Sequence, residues 1–237
     1  MEHGHSPAEI ADRLDNTNGS GRLRDFVYGG IDGAVTTFAI VAGVEGASLS
    51  PSVIIALGIA NVLADGFSMA ASNYSGTKAE RDNVARLRRV EQRHIAEEPE
   101  GEREEVRQIL ARKGLEGDVL EGAVDAICAR EKTWIDLMLV DEYGTAPVDP
   151  DPVPAALVTF GAFLACGLVP LVPFLFGLPN PFLGATIATA VAFFGIGALK
   201  SRWSLVSWWR SGLETLGIGA AAAGIAYGAG YLVGHMI

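Results

Sequence analysis

Apolar residues concentrate in five stretches, Phe26–Ala47, Val53–Tyr74, Val153–Leu178, Pro181–Leu199 and Leu213–Ile237. Each approaches or exceeds the roughly 20 residues of helix that cross a hydrocarbon layer about 30 Å thick. Between the second and third stretch the pattern changes to polar and charged residues with helical spacing, which predicts three or four amphipathic helices, the first continuing out of the second span. The short links ASLSPS and GLPNP predict tight helical hairpins, and Pro170 and Pro173 predict a kink in the third span. Glycine recurs through the last stretch, which suits close helix packing in lipid. The expected fold class is all-α, a five-span transmembrane helical bundle with a helical insert between spans two and three. Its divisions are a disordered tail over 1–21, spans one and two over 22–75, the insert over 76–150 and spans three to five over 151–237.

Charge orients this arrangement. The 18 Lys and Arg residues all fall in the N-terminal tail, the insert or the stretch KSRWSLVSWWR between spans four and five. The two hairpin links and the C-terminal tail carry none. The positive-inside rule then places the N-terminus and the insert in the cytosol and the C-terminus outside or in a lumen. Trp203, Trp208 and Trp209 beside those basic residues fit an interfacial anchor on the cytosolic face. A net charge of -10 argues against a nucleic-acid partner. The N-terminus lacks an apolar signal core, so the first span is expected to act as the targeting signal. Cys128 lies in the insert and Cys166 in an apolar span, which disfavours a disulfide between them.

Polar residues inside the spans carry the candidate chemistry. Asp25, Asp32 and Thr36 share one face of the first span, and Asn61, Asp65 and Met69 recur every four residues in the second, with Ser68 and Ser72 alongside. A charge near the bilayer centre costs about 2.5–3.5 kcal/mol on insertion scales, so such residues usually face a bundle interior or an aqueous path. Carboxylate with thioether suits Fe(II) or Mn(II), while the plainer alternative makes Asp65 a helix–helix hydrogen-bonding residue and Met69 filler. Gly29, Gly30 and Gly33 around Asp32 would let two copies of the first span approach closely, placing Asp32 near a symmetry axis. In the insert, Glu91 and His94 are spaced i, i+3, as are Glu102 and Glu105, while Met138 and Glu142 are spaced i, i+4. Glu-x-x-His is the ligand unit of carboxylate-bridged metal sites in helical bundles. Against it stands the frequency of glutamate on solvated helices, with Met138 as a core residue. His3 and His5 read as part of the disordered tail.

RDFVYGGIDGAVTTFAIVAGVEGA, then GIANVLADGFSMAASNY, a charged insert ending WIDLMLVDEYG and a span containing GLVPLVPF together resemble the vacuolar iron transporter family, in collinear order over about residues 22–237. The resemblance implies a transporter rather than an enzyme, with no organic cofactor. It implies a homodimer in a lipid bilayer that moves Fe(II), and often Mn(II), out of the cytosol in exchange for protons. The membrane would be the plasma membrane in a prokaryote and a vacuole-type membrane in a eukaryote. The implied path runs at the dimer interface beside Asp32 and Met69, with Asp25 near the cytosolic entrance. Glu91, Glu102, Glu105, Glu142 and Met138 are the implied metal-binding residues of the insert. The chain departs from the plant-type pattern at Asn61, which replaces a glutamate while Asp65 supplies a carboxylate one turn later. His94 stands for an insert glutamate and Leu139 for a methionine, which points the metal preference toward Mn(II). On this view Asn61, Asp65 and Met69 form one wall of a metal path and Asp32 the opposing wall. Two other classes remain open on sequence: a membrane-anchored ferritin-like iron oxidase, and a scaffold that senses metal without moving it.

Overall fold

The computed structural model describes residues 6–15, 20–145 and 151–236. His3 and His5 lie outside the described residues. Packing divides the chain into two compact units, Met1–Ser75 with Pro152–Ile237, and Gly76–Asp151. Among the described residues every regular element is helical.

The tail differs from expectation. Pro7–Asp15 forms a helix, α1, where the sequence suggested disorder. The cause is a capping box in S-P-A-E: the Ser6 N–H donates to Glu9 Oε2 at 3.1 Å, and the Glu9 N–H donates to Ser6 Oγ at 3.3 Å. Proline at the first helical position, with its fixed φ, adds to the same start signal.

Five helices are long and apolar enough to cross a membrane. They are α2 (Ser20–Gly46), α3 (Pro51–Glu97), α7 (Pro152–Leu168) with its continuation, α9 (Pro181–Lys200) and α10 (Trp208–Met236). The third span is broken as its prolines require. Helix α7 stops at Leu168, a 3-10 turn covers Val169–Leu171, and the short α8 (Val172–Leu175) follows. Pro170 and Pro173 have no N–H to donate, so the regular ladder fails there.

Helix α2 is the packing centre of the membrane unit and touches α7, α9 and α10. Phe38, Val41 and Val44 of α2 meet Ile54 and Val62 of α3, Leu171 and Phe174 after the kink, and Ala185 of α9. The glycines of α2 correct one expectation. A Cβ on Gly29 or Gly33 would overlap the backbone carbonyls of Thr159 and Phe163 in α7, and one on Gly30 would sit 3.2 Å from Cys166 Sγ. These glycines therefore serve close helix contact inside the chain, not the approach of a second α2. Farther along, Gly43 of α2 meets Gly230 of α10 in the same way.

The second unit comprises the end of α3 with α4 (Pro99–Arg112), α5 (Gly117–Cys128) and α6 (Glu131–Asp141). Val106, Leu110, Val124, Trp134 and Met138 form one core cluster, and Val84, Leu87, Ile135 and Leu139 form another. Arg88 pairs with Asp136 at 2.8 Å and Arg107 with Glu121 at 2.7 Å, so ion pairs tie the helices along their wet edges.

Candidate functional site

In the membrane unit the seven-residue step from Asp25 to Asp32 keeps both on one face of α2. Asp32 lines an open groove of about 660 Å3 together with Arg24, Tyr28, Met69 and Lys200. Its carboxylate lies near enough to that of Asp65 for the two charges to interact. Asn61 Nδ2 donates to Thr36 Oγ1 at 3.2 Å, and Thr36 Oγ1 donates to the Asp32 carbonyl at 2.9 Å. The α3 stripe and the α2 face therefore meet: Asp32 and Met69 line one groove, Asn61 is joined to α2 through Thr36, and the charge of Asp65 acts on Asp32.

Asp25 sits at a neighbouring hollow of about 210 Å3 that shares Arg24, Tyr28 and Met69 with the groove. It is buried, 3.8 Å from the Arg24 guanidinium. Sequence reasoning stopped the α3 stripe at Met69 and missed Asn73, the next residue in the four-residue series. Lys200, at the end of α9, was also missed as a groove residue; it lies 3.6 Å from Glu214. Nothing in its local sequence separates it from an interfacial basic anchor.

The second locus lies wholly within the insert. Glu91 of α3 is 0% exposed and Glu102 of α4 is 7% exposed. The Tyr143 hydroxyl donates to Glu91 Oε1 at 2.8 Å. His94 Nδ1 lies 3.3 Å from Glu102 Oε1 and 3.9 Å from Glu91 Oε1. The second oxygen of each glutamate, Oε2, is buried with no hydrogen-bond partner. Glu105 and Glu142 are exposed at the margin. Burial, helped by the charges of Glu91, Glu105 and Glu142 against that of His94, pushes the Glu102 carboxyl up to about 7. Burial, then Glu91 and Glu105, also raises Glu142. Burial and the hydrogen bond to Glu91 raise the Tyr143 phenol.

Four carboxylates and an imidazole therefore share one field, but among the described residues no three of them already form a coordination sphere. The Met138 side chain lies in the core of the insert. It is fully enclosed in the apolar cluster with Val106, Leu110, Val124 and Trp134, a packing role that its unbranched chain suits. Tyr143, beside the predicted Glu142, is the residue sequence reasoning overlooked. Orphaned carboxylate oxygens in a buried acidic cluster fit a divalent cation, which would satisfy both and relieve the mutual repulsion.

The chain resembles known proteins along nearly all of its length. The model of the VIT family matches residues 23–231. Vacuolar iron transporter 1 of Eucalyptus grandis is 35% identical over 210 residues, covering 87% of this chain and 84% of that protein. Vacuolar iron transporter 1 of Arabidopsis thaliana is 33% identical over 217 residues, covering 90% and 86%. The vacuolar iron transporter of Toxoplasma gondii is 33% identical over 223 residues, covering 89% and 74%. With the five long apolar helices, these matches make the chain an integral membrane protein. It belongs to the vacuolar iron transporter (VIT) family.

Proposed function

We propose that this protein carries Fe(II), Mn(II) or both out of the cytosol in exchange for protons, for metal homeostasis or detoxification. The observation that supports this most is the groove in which Asp32 of one membrane helix meets the Met69 thioether of another, with the charge of Asp65 acting on Asp32. Two interacting carboxylates hold protons or a dication in turn, so entry of the metal displaces protons and their return releases the metal. The thioether biases the path toward transition metals over Mg(II) and Ca(II). The groove is open along one side, and a second copy of the chain closes it, making the working unit a homodimer. The basic residues set the N-terminus and insert in the cytosol, where Glu91, Glu102, Glu105 and Glu142 gather the ion before it enters the path. The named relatives favour a vacuole-type membrane in a eukaryotic cell; a prokaryotic cell would place it in the plasma membrane.

Reconstitution into proteoliposomes under an imposed pH gradient tests this reading. Fe(II) or Mn(II) should cross with coupled proton movement, and flux that ignores the gradient would sink the exchange mechanism. The orphaned glutamate oxygens favour one second reading, an iron-oxidising or metal-sensing insert for which the membrane part is only an anchor. That reading requires iron oxidation or metal response to survive intact in Asp32→Asn while wild type moves no metal.

A further inference from the structure

We infer that Glu91 and Glu102 are each held by one oxygen and present the other to a divalent cation, with Tyr143 and His94 as the positioning residues that hold them. This deepens the proposal that the insert binds metal and rests on it. The arrangement occurs twice. Glu91 Oε1 accepts from the Tyr143 hydroxyl at 2.8 Å, and Glu91 Oε2 is buried and unpartnered. Glu102 Oε1 lies 3.3 Å from His94 Nδ1, and Glu102 Oε2 is likewise buried and unpartnered. A polar partner on one carboxylate oxygen restricts the rotamer and leaves the other oxygen available, which is how outer groups commonly orient metal-binding carboxylates. The two partners come from different parts of the chain, so the repetition is not a consequence of local sequence.

His94 changes role on this basis. Its spacing from Glu91 suggests a ligand, yet its Nδ1 is turned toward the carboxylates, 3.3 Å from Glu102 Oε1 and 3.9 Å from Glu91 Oε1. Met138 is enclosed among apolar side chains. The inner set is then carboxylate oxygen alone: two buried glutamates, with the exposed Glu105 and Glu142 at the margin. An all-oxygen set of this kind takes Mn(II) or Fe(II) in preference to soft, thiolate-seeking ions.

The test is a calorimetric Mn(II) titration of the detergent-purified full chain at neutral pH, beside metal-free thermal unfolding. The insert site is the one that Glu91→Gln removes. Tyr143→Phe and His94→Leu should each weaken that site about 10–100-fold, the usual cost of losing an outer-shell partner. His94→Gln should stay within a few-fold of wild type, because its side-chain amide can donate to Glu102 while being a poor replacement for a ligating imidazole. Wild-type affinity in Tyr143→Phe would overturn the role of Tyr143. Equal losses in His94→Gln and His94→Leu would make His94 a ligand and overturn its role here. Should Tyr143→Phe fail to fold, the His94 pair decides. A wild-type titration with no site that Glu91→Gln removes would refute the metal reading of the insert itself, a result distinct from either of these.

Discussion

Asn73 donates its side-chain amide to Asp25 Oδ1 at 3.1 Å and to Thr159 Oγ1 at 2.7 Å, tying α3 to α2 and α7 at once. Asp25 is 4% exposed, so this amide is a principal source of compensation for its buried carboxylate. Asn73→Leu removes that donor while filling similar space. Stranding a buried acceptor costs about 1–3 kcal/mol, more when it is charged. Thermal unfolding in detergent should show the loss, and the double variant Asn73→Leu with Asp25→Asn should recover part of it.

Close contact between α2 and α7 makes a second prediction. An added methyl at Gly33 meets the Phe163 carbonyl, a backbone atom that cannot swing aside. Gly33→Ala should destabilise the membrane unit by about 1–3 kcal/mol. Gly161→Ala, on α7 itself, has nothing within 4 Å of the new carbon and should be neutral or slightly stabilising. Equal unfolding midpoints for the two variants would contradict the packing described here.

Transport gives the sharpest comparison. Asp32→Asn keeps shape and hydrogen bonding but removes the charge that alternates between proton and dication. It should abolish Fe(II) and Mn(II) flux without impairing insertion, since neutralising a charge eases membrane entry. Met69→Leu should retain flux while losing discrimination among ions, because only the soft sulfur is gone. Undiminished uptake by reconstituted Asp32→Asn would remove the basis for a path beside this residue.

The insert should respond to pH in two opposed ways. Glu102 titrates at about 7 in the folded protein, above the ordinary carboxylate range. The folded state therefore binds more protons than the unfolded one between about pH 4.5 and 7, so metal-free stability falls as pH rises through that window. Metal affinity runs the other way, weakening as pH drops below about 7 and Glu102 takes up its proton. Unfolding of the full chain with and without Mn(II), followed from pH 5 to 8, should show the metal's stabilising effect growing with pH. A pH-independent increment would mean that Glu102 does not touch the ion's field.

Residue order alone made legible the number of spans, the break at Pro170 and Pro173, and the shared stripe of Asn61, Asp65 and Met69. These follow from local rules, namely hydrophobic length, the missing proline N–H and the 3.6-residue period. It also placed Glu91, His94, Glu102, Glu105 and Glu142 as candidates, since i, i+3 spacing defines a helix face. What a face meets is not local. Packing in the folded chain shows that Gly29 and Gly33 seat α7 rather than a second α2, and that Met138 belongs to the apolar core. It alone joined Asn73 to Asp25 across 48 residues and Tyr143 to Glu91 across 52. Periodicity states which side chains share a surface; the partner of that surface is chosen by packing between distant segments, where the competition among burial, charge and hydrogen bonding is settled.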